Sequence, residues 1–180
     1  MKQFFVALLS TAAMGAASSA FAANAAAEHS TNVELKKNGG YEATNSAQRT
    51  TAAGTKHEVK EKIDVDVDSK GMHKESTKTE SSTDPKGLMN EKTSTSKATY
   101  KDKDNGGYKH TRTEKQTDAA GADVKTQTTT NVDVDAEKGT TATVKTEKTV
   151  DPKGLLNKTT TTTKAKAVNG KLVEEKKETN

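Results

Sequence analysis

Past residue 22, glycine occupies nine sites (39–40, 54, 71, 87, 106–107, 121, 139, 154 and 170), about 16 residues apart. Other turn formers accompany it, as in Asn38-Gly39, Ser69-Lys70-Gly71, Asp84-Pro85-Lys86-Gly87 and Glu137-Lys138-Gly139. Glycine supplies the positive φ that tight turns need, and Asn and Asp tolerate it. Between the turn signals lie segments of roughly 10–13 residues that lack Gly and Pro. A chain cut so evenly is suited to strands of similar length joined by short turns.

The segments themselves carry a period of two. From His57 to Val67 the odd positions hold Val59, Ile63, Val65 and Val67, while every even position is charged. Val124, Thr126, Thr128, Thr130, Val132 and Val134 repeat that stripe, and Ala142-Val144-Thr146 continues it. Alternation built on β-branched residues marks half-buried strand. A helix would put Val65 and Val67 on different faces, and the run Thr159–Thr163 disfavours helix.

The pattern occurs twice. Asp84-Pro85-Lys86-Gly87-Leu88-Met89-Asn90 returns as Asp151-Pro152-Lys153-Gly154-Leu155-Leu156-Asn157, an offset of 67 residues. Asn38-Gly39-Gly40-Tyr41 returns at the same offset as Asn105-Gly106-Gly107-Tyr108, and Val65-Asp66-Val67-Asp68 as Val132-Asp133-Val134-Asp135. A one-residue slip appears at Gly71 against Gly139. Two tandem units are expected, over 38–104 and 105–171, after a flexible lead-in over 23–37 and before a C-terminal strand or tail over 172–180. Asp, Pro and Gly at the first, second and fourth positions of the heptapeptide fit a type I turn.

Composition limits what these strands can bury. All three Phe residues lie in the first 22 positions, and Ala23 to Asn180 contains no Phe, Trp or Cys. That stretch has 17 Leu, Ile and Val among 158 residues, roughly 11% against the ~20% below which chains tend to be disordered. A conventional core is excluded, and without cysteine no disulfide framework replaces it. The expected fold is all-β: an extended antiparallel meander of about eight to ten strands in a thin or single-layer sheet, held by ladders and by Lys–Glu, Thr–Thr and Val–Val pairs. Such a sheet resembles in architecture, though in no motif, that of spirochaete outer-surface lipoproteins. The alternative is a largely disordered chain.

The first residues read as an address. Lys2, the apolar run from Phe4 to Leu9 and small residues up to Ala20-Phe21-Ala22 make a signal peptide over 1–22. The run is too short to span a membrane as a helix, which takes about 20 apolar residues. Cleavage near Ala22 is expected to release the chain to the periplasm, exterior or cell surface, with no membrane insertion. An outer-membrane barrel would need an apolar outer band and aromatic girdles, which three tyrosines cannot supply.

Candidate chemistry is sparse. Asp64, Asp66 and Asp68 with Asp133 and Asp135 place alternate carboxylates on one strand face, a candidate Ca²⁺ site because calcium takes six to eight oxygens. The plainer interpretation is a solvated face whose counter-ions are neighbouring lysines. His29, His57, His73 and His110 show no ligand spacing. Thr126, Thr128, Thr130 and alternate members of Thr159–Thr163 form hydroxyl rows suited to ice, glycans or mineral, or simply reflect threonine's preference for strands. Catalysis needs a concave apolar site, so an enzyme is not expected. Lysine and acid are interleaved, with 28 basic and 25 acidic residues past residue 22, and stacking aromatics are lacking, so no nucleic-acid partner is expected. The expected role is an exported structural, adhesive or surface-interaction protein, self-associating through sheet edges or meeting another envelope component. The alternatives are a periplasmic cation-binding protein and a disordered stress-protective one.

Overall fold

The computed structural model describes residues 27–85, 91–152 and 158–180. The expected signal segment and most of each heptapeptide, with its expected type I turn, lie outside the described residues. The chain is all-β. Ten strands run in order: β1 (Ala27–Leu35), β2 (Tyr41–Thr50), β3 (Lys56–Val67), β4 (His73–Asp84), β5 (Lys92–Asp102), β6 (Tyr108–Thr117), β7 (Asp123–Asp135), β8 (Gly139–Asp151), β9 (Thr159–Val168) and β10 (Lys171–Thr179). Each pairs antiparallel with its sequence neighbour, giving one open sheet ordered β1 to β10. β1 lies within the stretch assigned to the lead-in, where His29, Thr31, Val33 and Leu35 alternate with polar residues.

Five connections share one geometry: Lys36–Gly40, Thr51–Thr55, Asp68–Met72, Lys103–Gly107 and Asp118–Ala122. The fourth residue donates its N–H to the first residue's carbonyl at 2.8–3.1 Å, and the first donates to the fifth at 2.9–3.0 Å. The fourth residue is always glycine, with φ between 78° and 84°. This is a type I turn closed by a left-handed glycine bulge, which matches the twist of the flanking strands. In the Asn-Gly-Gly copies the second glycine has another cause. A Cβ on Gly40 would stand 2.1 Å from the Val65 carbonyl oxygen, and one on Gly107 would stand 2.1 Å from that of Val132.

The slip at Gly139 is not an insertion. Val67↔His73 and Val134↔Thr140 close their hairpins at the same offset. Only the glycine has moved, from the turn's fourth place to the first residue of β8, opposite Asp135, where its φ is 80°. Asn169 (φ 47°) and Gly170 (φ 79°) make the two-residue turn of β9–β10, the type I′ form favoured in tight hairpins.

Period-two alternation sorts the side chains onto two faces. One carries Val33, Leu35, Tyr41, Ala43, Val59, Ile63, Val65 and Val67 from neighbouring strands in register. Its core is small. Ala43, Ile63 and Val65 are the buried hydrophobic residues among those described, Ile63 being 2% exposed, and Tyr41 packs against them. Buried Glu61 accepts a bond from Asn45 Nδ2 at 3.0 Å. Among the described residues no equivalent centre forms 67 positions on, where Thr130 stands in place of Ile63 and His110 in place of Ala43.

Candidate functional site

The opposite face holds most of the charge. Asp64 and Asp66 of β3 both reach Lys36, whose Nζ lies 2.8 Å from each Oδ1. Asn38 Nδ2 is 3.4 Å from Asp66 Oδ1. Sixty-seven residues on, Lys103 Nζ lies 2.6 Å from Asp133 Oδ1 and 2.6 Å from Asn131 Oδ1, and Asn105 Nδ2 is 3.4 Å from Asp133. Lys36 and Lys103 therefore make similar clamps, each a loop lysine gripping the end of the second strand beyond it. Hydrogen bonds from Lys36 and then Asn38 hold the Asp66 carboxyl below its ordinary range, and the Lys103 bond does the same for Asp133. Lys36 is pushed up in return by its bonds to Asp64 and Asp66.

Asp68 and Asp135 face their own loops. Asp68 Oδ1 accepts the backbone N–H of Lys70 at 2.8 Å and of Met72 at 2.9 Å. Asp135 Oδ1 accepts those of Glu137 and Lys138, each at 2.9 Å. These bonds lower both carboxyls, with Met72 the larger cause for Asp68 and Lys138 for Asp135. The five aspartates of the stripe are thus divided between lysine clamps and loop caps. Among the described residues, no group of three or more His, Cys, Asp or Glu side chains is arranged to hold a metal ion.

Five of the ion pairs elsewhere run along single strands. Lys60–Glu58, Lys78–Glu80 and Lys145–Glu147 each sit two residues apart at 2.6 Å. Arg112–Glu114 and Lys176–Glu178 are spaced the same way. Lys62–Glu42 at 2.6 Å and Lys115–Asp123 at 2.8 Å do cross, on diagonals. Directly opposite positions bring lysine to acid in places, as Lys60 to Glu80 and Lys74 to Asp66, but elsewhere bring lysine to lysine. Lys62, Lys78 and Lys97 form one cross-strand row, and Lys74, Lys101 and Lys109 another. Lys145, Lys164 and Lys176 form a third. No family model, curated protein or solved structure matches this chain.

At the loop end of β3–β5 a depression of about 350 Å³ lies among Asp66, Asp68, Met72, His73, Lys101 and Asp102. Asp102 is used on both oxygens, by the His73 backbone N–H at 2.9 Å and by the Tyr100 hydroxyl at 2.8 Å. Asn169 takes the equivalent place 67 residues later and accepts the Thr140 N–H at 2.9 Å. His57 Nδ1 lies 3.2 Å from Thr83 Oγ1. The threonine rows are on both faces: Thr128 and Thr146 meet at 3.2 Å on the apolar one, and Thr149 and Thr160 at 3.3 Å on the charged one.

The lysine rows are what sequence reasoning missed. The signal was present in the strand lengths. Aligning the segments as successive hairpins on the glycine sites would have placed Lys101 across from Lys109.

Proposed function

We propose that this chain is an exported, non-enzymatic repeat protein of the bacterial envelope or exterior, whose tandem 67-residue units extend one sheet into a surface for structural, adhesive or similar contacts. The observation that carries it is the open ten-stranded sheet, in which Ala43, Ile63 and Val65 are the buried hydrophobic residues among those described. A chain that spends its length on a sheet with both faces solvated presents surface rather than enclosing a site. The matching clamps at Lys36 and Lys103 support repetition of one unit.

The edges support contact with further strands. Among the described residues, four of the six exposed large hydrophobic ones lie there: Val33 and Leu35 (87% exposed) on β1, and Leu172 and Val173 on β10. β10 is guarded by Lys171, Lys176 and Lys177 and by a bulge between Leu172 and Glu174, both devices that discourage further pairing. β1 has no lysine, proline or bulge over its nine paired residues. It is the better edge for another copy or another envelope component.

The export part is tested by mass spectrometry and cell fractionation. The expected product begins near Ala23, lies outside the cytoplasm and is shaved by protease added to intact cells or spheroplasts. A full-length chain recovered from the cytoplasm would overturn it.

A further inference from the structure

On the charged face of β5 and β6 every position is lysine or threonine. β5 contributes Thr93, Thr95, Lys97, Thr99 and Lys101, and β6 contributes Lys109, Thr111, Thr113, Lys115 and Thr117, paired residue for residue. The acids of the same strands, Asp102 and Glu114, belong to the other face. β4 adds Lys74 opposite Lys101 and Lys78 opposite Lys97, with Ser76 opposite Thr99. Two lysine rows therefore flank a hydroxyl row of Ser76, Thr99 and Thr111. Neighbours in a row stand about 4.8 Å apart, and the rows lie about 13 Å apart along the strands.

Like charges directly opposite in a sheet are destabilising. Lys78 has a carboxylate, Glu80, at 2.6 Å. Among the described residues, exposed Lys74, Lys97, Lys101 and Lys109 take part in none of the salt bridges. Lys74 also stands opposite Asp66 of β3, and Lys97 and Lys101 help to lower the Glu80 and Asp68 carboxyls. The opposition is thus offset only in part, and local rules broken in this way are found at functional sites. From this placement we infer that the β4–β6 lysine–threonine face binds a linear acidic polysaccharide. The ammonium groups meet its carboxylates or sulfates, and the Ser and Thr hydroxyls bond its ring hydroxyls. Nucleic acid is the poorer fit because bases need aromatic platforms. Tyr100 and Tyr108, stacked at 5.4 Å, occupy the opposite face. A lipid surface would favour apolar side chains beside the lysines, and β4, β5 and β6 offer none on this face.

The inference goes beyond the surface role proposed above and does not depend on export, since its test uses purified protein. Binding of labelled dextran sulfate and polygalacturonate is measured at low and moderate salt, beside single-stranded DNA and phosphatidylglycerol vesicles. At least one polysaccharide is expected to bind, and K97Q/K101Q/K109Q to weaken it at least about tenfold, with a reduced salt dependence. K171Q/K176Q/K177Q, which removes the same charge from β10, is expected to change it less than about twofold. Relief of lysine opposition should leave the triple variant's melting temperature unchanged or higher. If that variant loses its β circular dichroism, Lys101→Gln alone is expected to weaken binding about twofold or more. Equal losses in the two triple variants, DNA or vesicles bound as tightly as the polysaccharides, or no polysaccharide binding at low salt would each overturn the inference.

Discussion

Gly40 and Gly107 are the positions where one added methyl group should do most damage. The obstacle at each is a neighbouring strand's carbonyl oxygen, which cannot swing aside as a flexible side chain would. Gly40→Ala and Gly107→Ala are each expected to cost about 2 kcal/mol or more. Gly39→Ala has open space around its Cβ but a φ of 82°, so its cost should stay near the 1–2 kcal/mol of a left-handed residue. Chemical denaturation of the three variants checks the order, and Gly39→Ala proving the worst would refute it. The doubled glycine of the repeated motif thus has two separate reasons, one conformational and one steric.

At the scale of elements, β3 is the strand on which packing depends. It brings Ile63 and Val65 against Ala43 and Tyr41, and its other face carries the aspartates held by Lys36. Ile63→Ala should cost about 2–4 kcal/mol, because the cavity lies in the small core formed with Ala43 and Val65. Thr130→Ala, at the matching place of β7, should cost under about 1 kcal/mol. Equal destabilisation in thermal melts would mean that the two units carry comparable cores. The stripe of Val59, Ile63, Val65 and Val67 was legible in sequence because period two depends only on neighbours along one strand. The register between strands was not legible in the same way. It depends on where each turn closes, and the glycine-bulge loop Lys103–Gly107 is what brings Lys101 opposite Lys109. The clamp of Lys36 on Asp64 and Asp66 was hidden for a related reason: its partners lie 28 and 30 residues apart. Cross-strand Lys–Glu pairs were expected; Lys62–Glu42 is one, while five other ion pairs formed along single strands, where residues two apart share a face.

For the whole molecule, stability should form a plateau against pH with losses at both ends. On the acid side Asp66, Asp68, Asp123, Asp133, Asp135, Glu80, Glu147 and Glu178 are all held below their ordinary values of 3.8 and 4.5. A lowered carboxyl contributes stability that is complete above the unfolded value and is lost as pH falls through the folded one. Melting temperature should therefore hold above about pH 5 and drop steadily below pH 4. On the alkaline side burial, with the bond to Asp102 next, pushes Tyr100 from 10.0 up to about 12. Its contribution is complete below pH 10 and is lost as pH rises to 12, with Lys36 weakening past 10.5 in the same direction. A melting temperature that stays flat from pH 5 down to 2 would show that these carboxyls titrate alike in the folded and unfolded chain.

The neighbour-to-neighbour strand order also fixes how the protein bears load. Its first and last strands are opposite edges, so tension between the chain's two ends runs across the ladders and opens their hydrogen bonds one after another instead of shearing them together. A tether of this design yields at low force, pays out one strand's length at a time, and re-forms by adding each strand back onto the one before it.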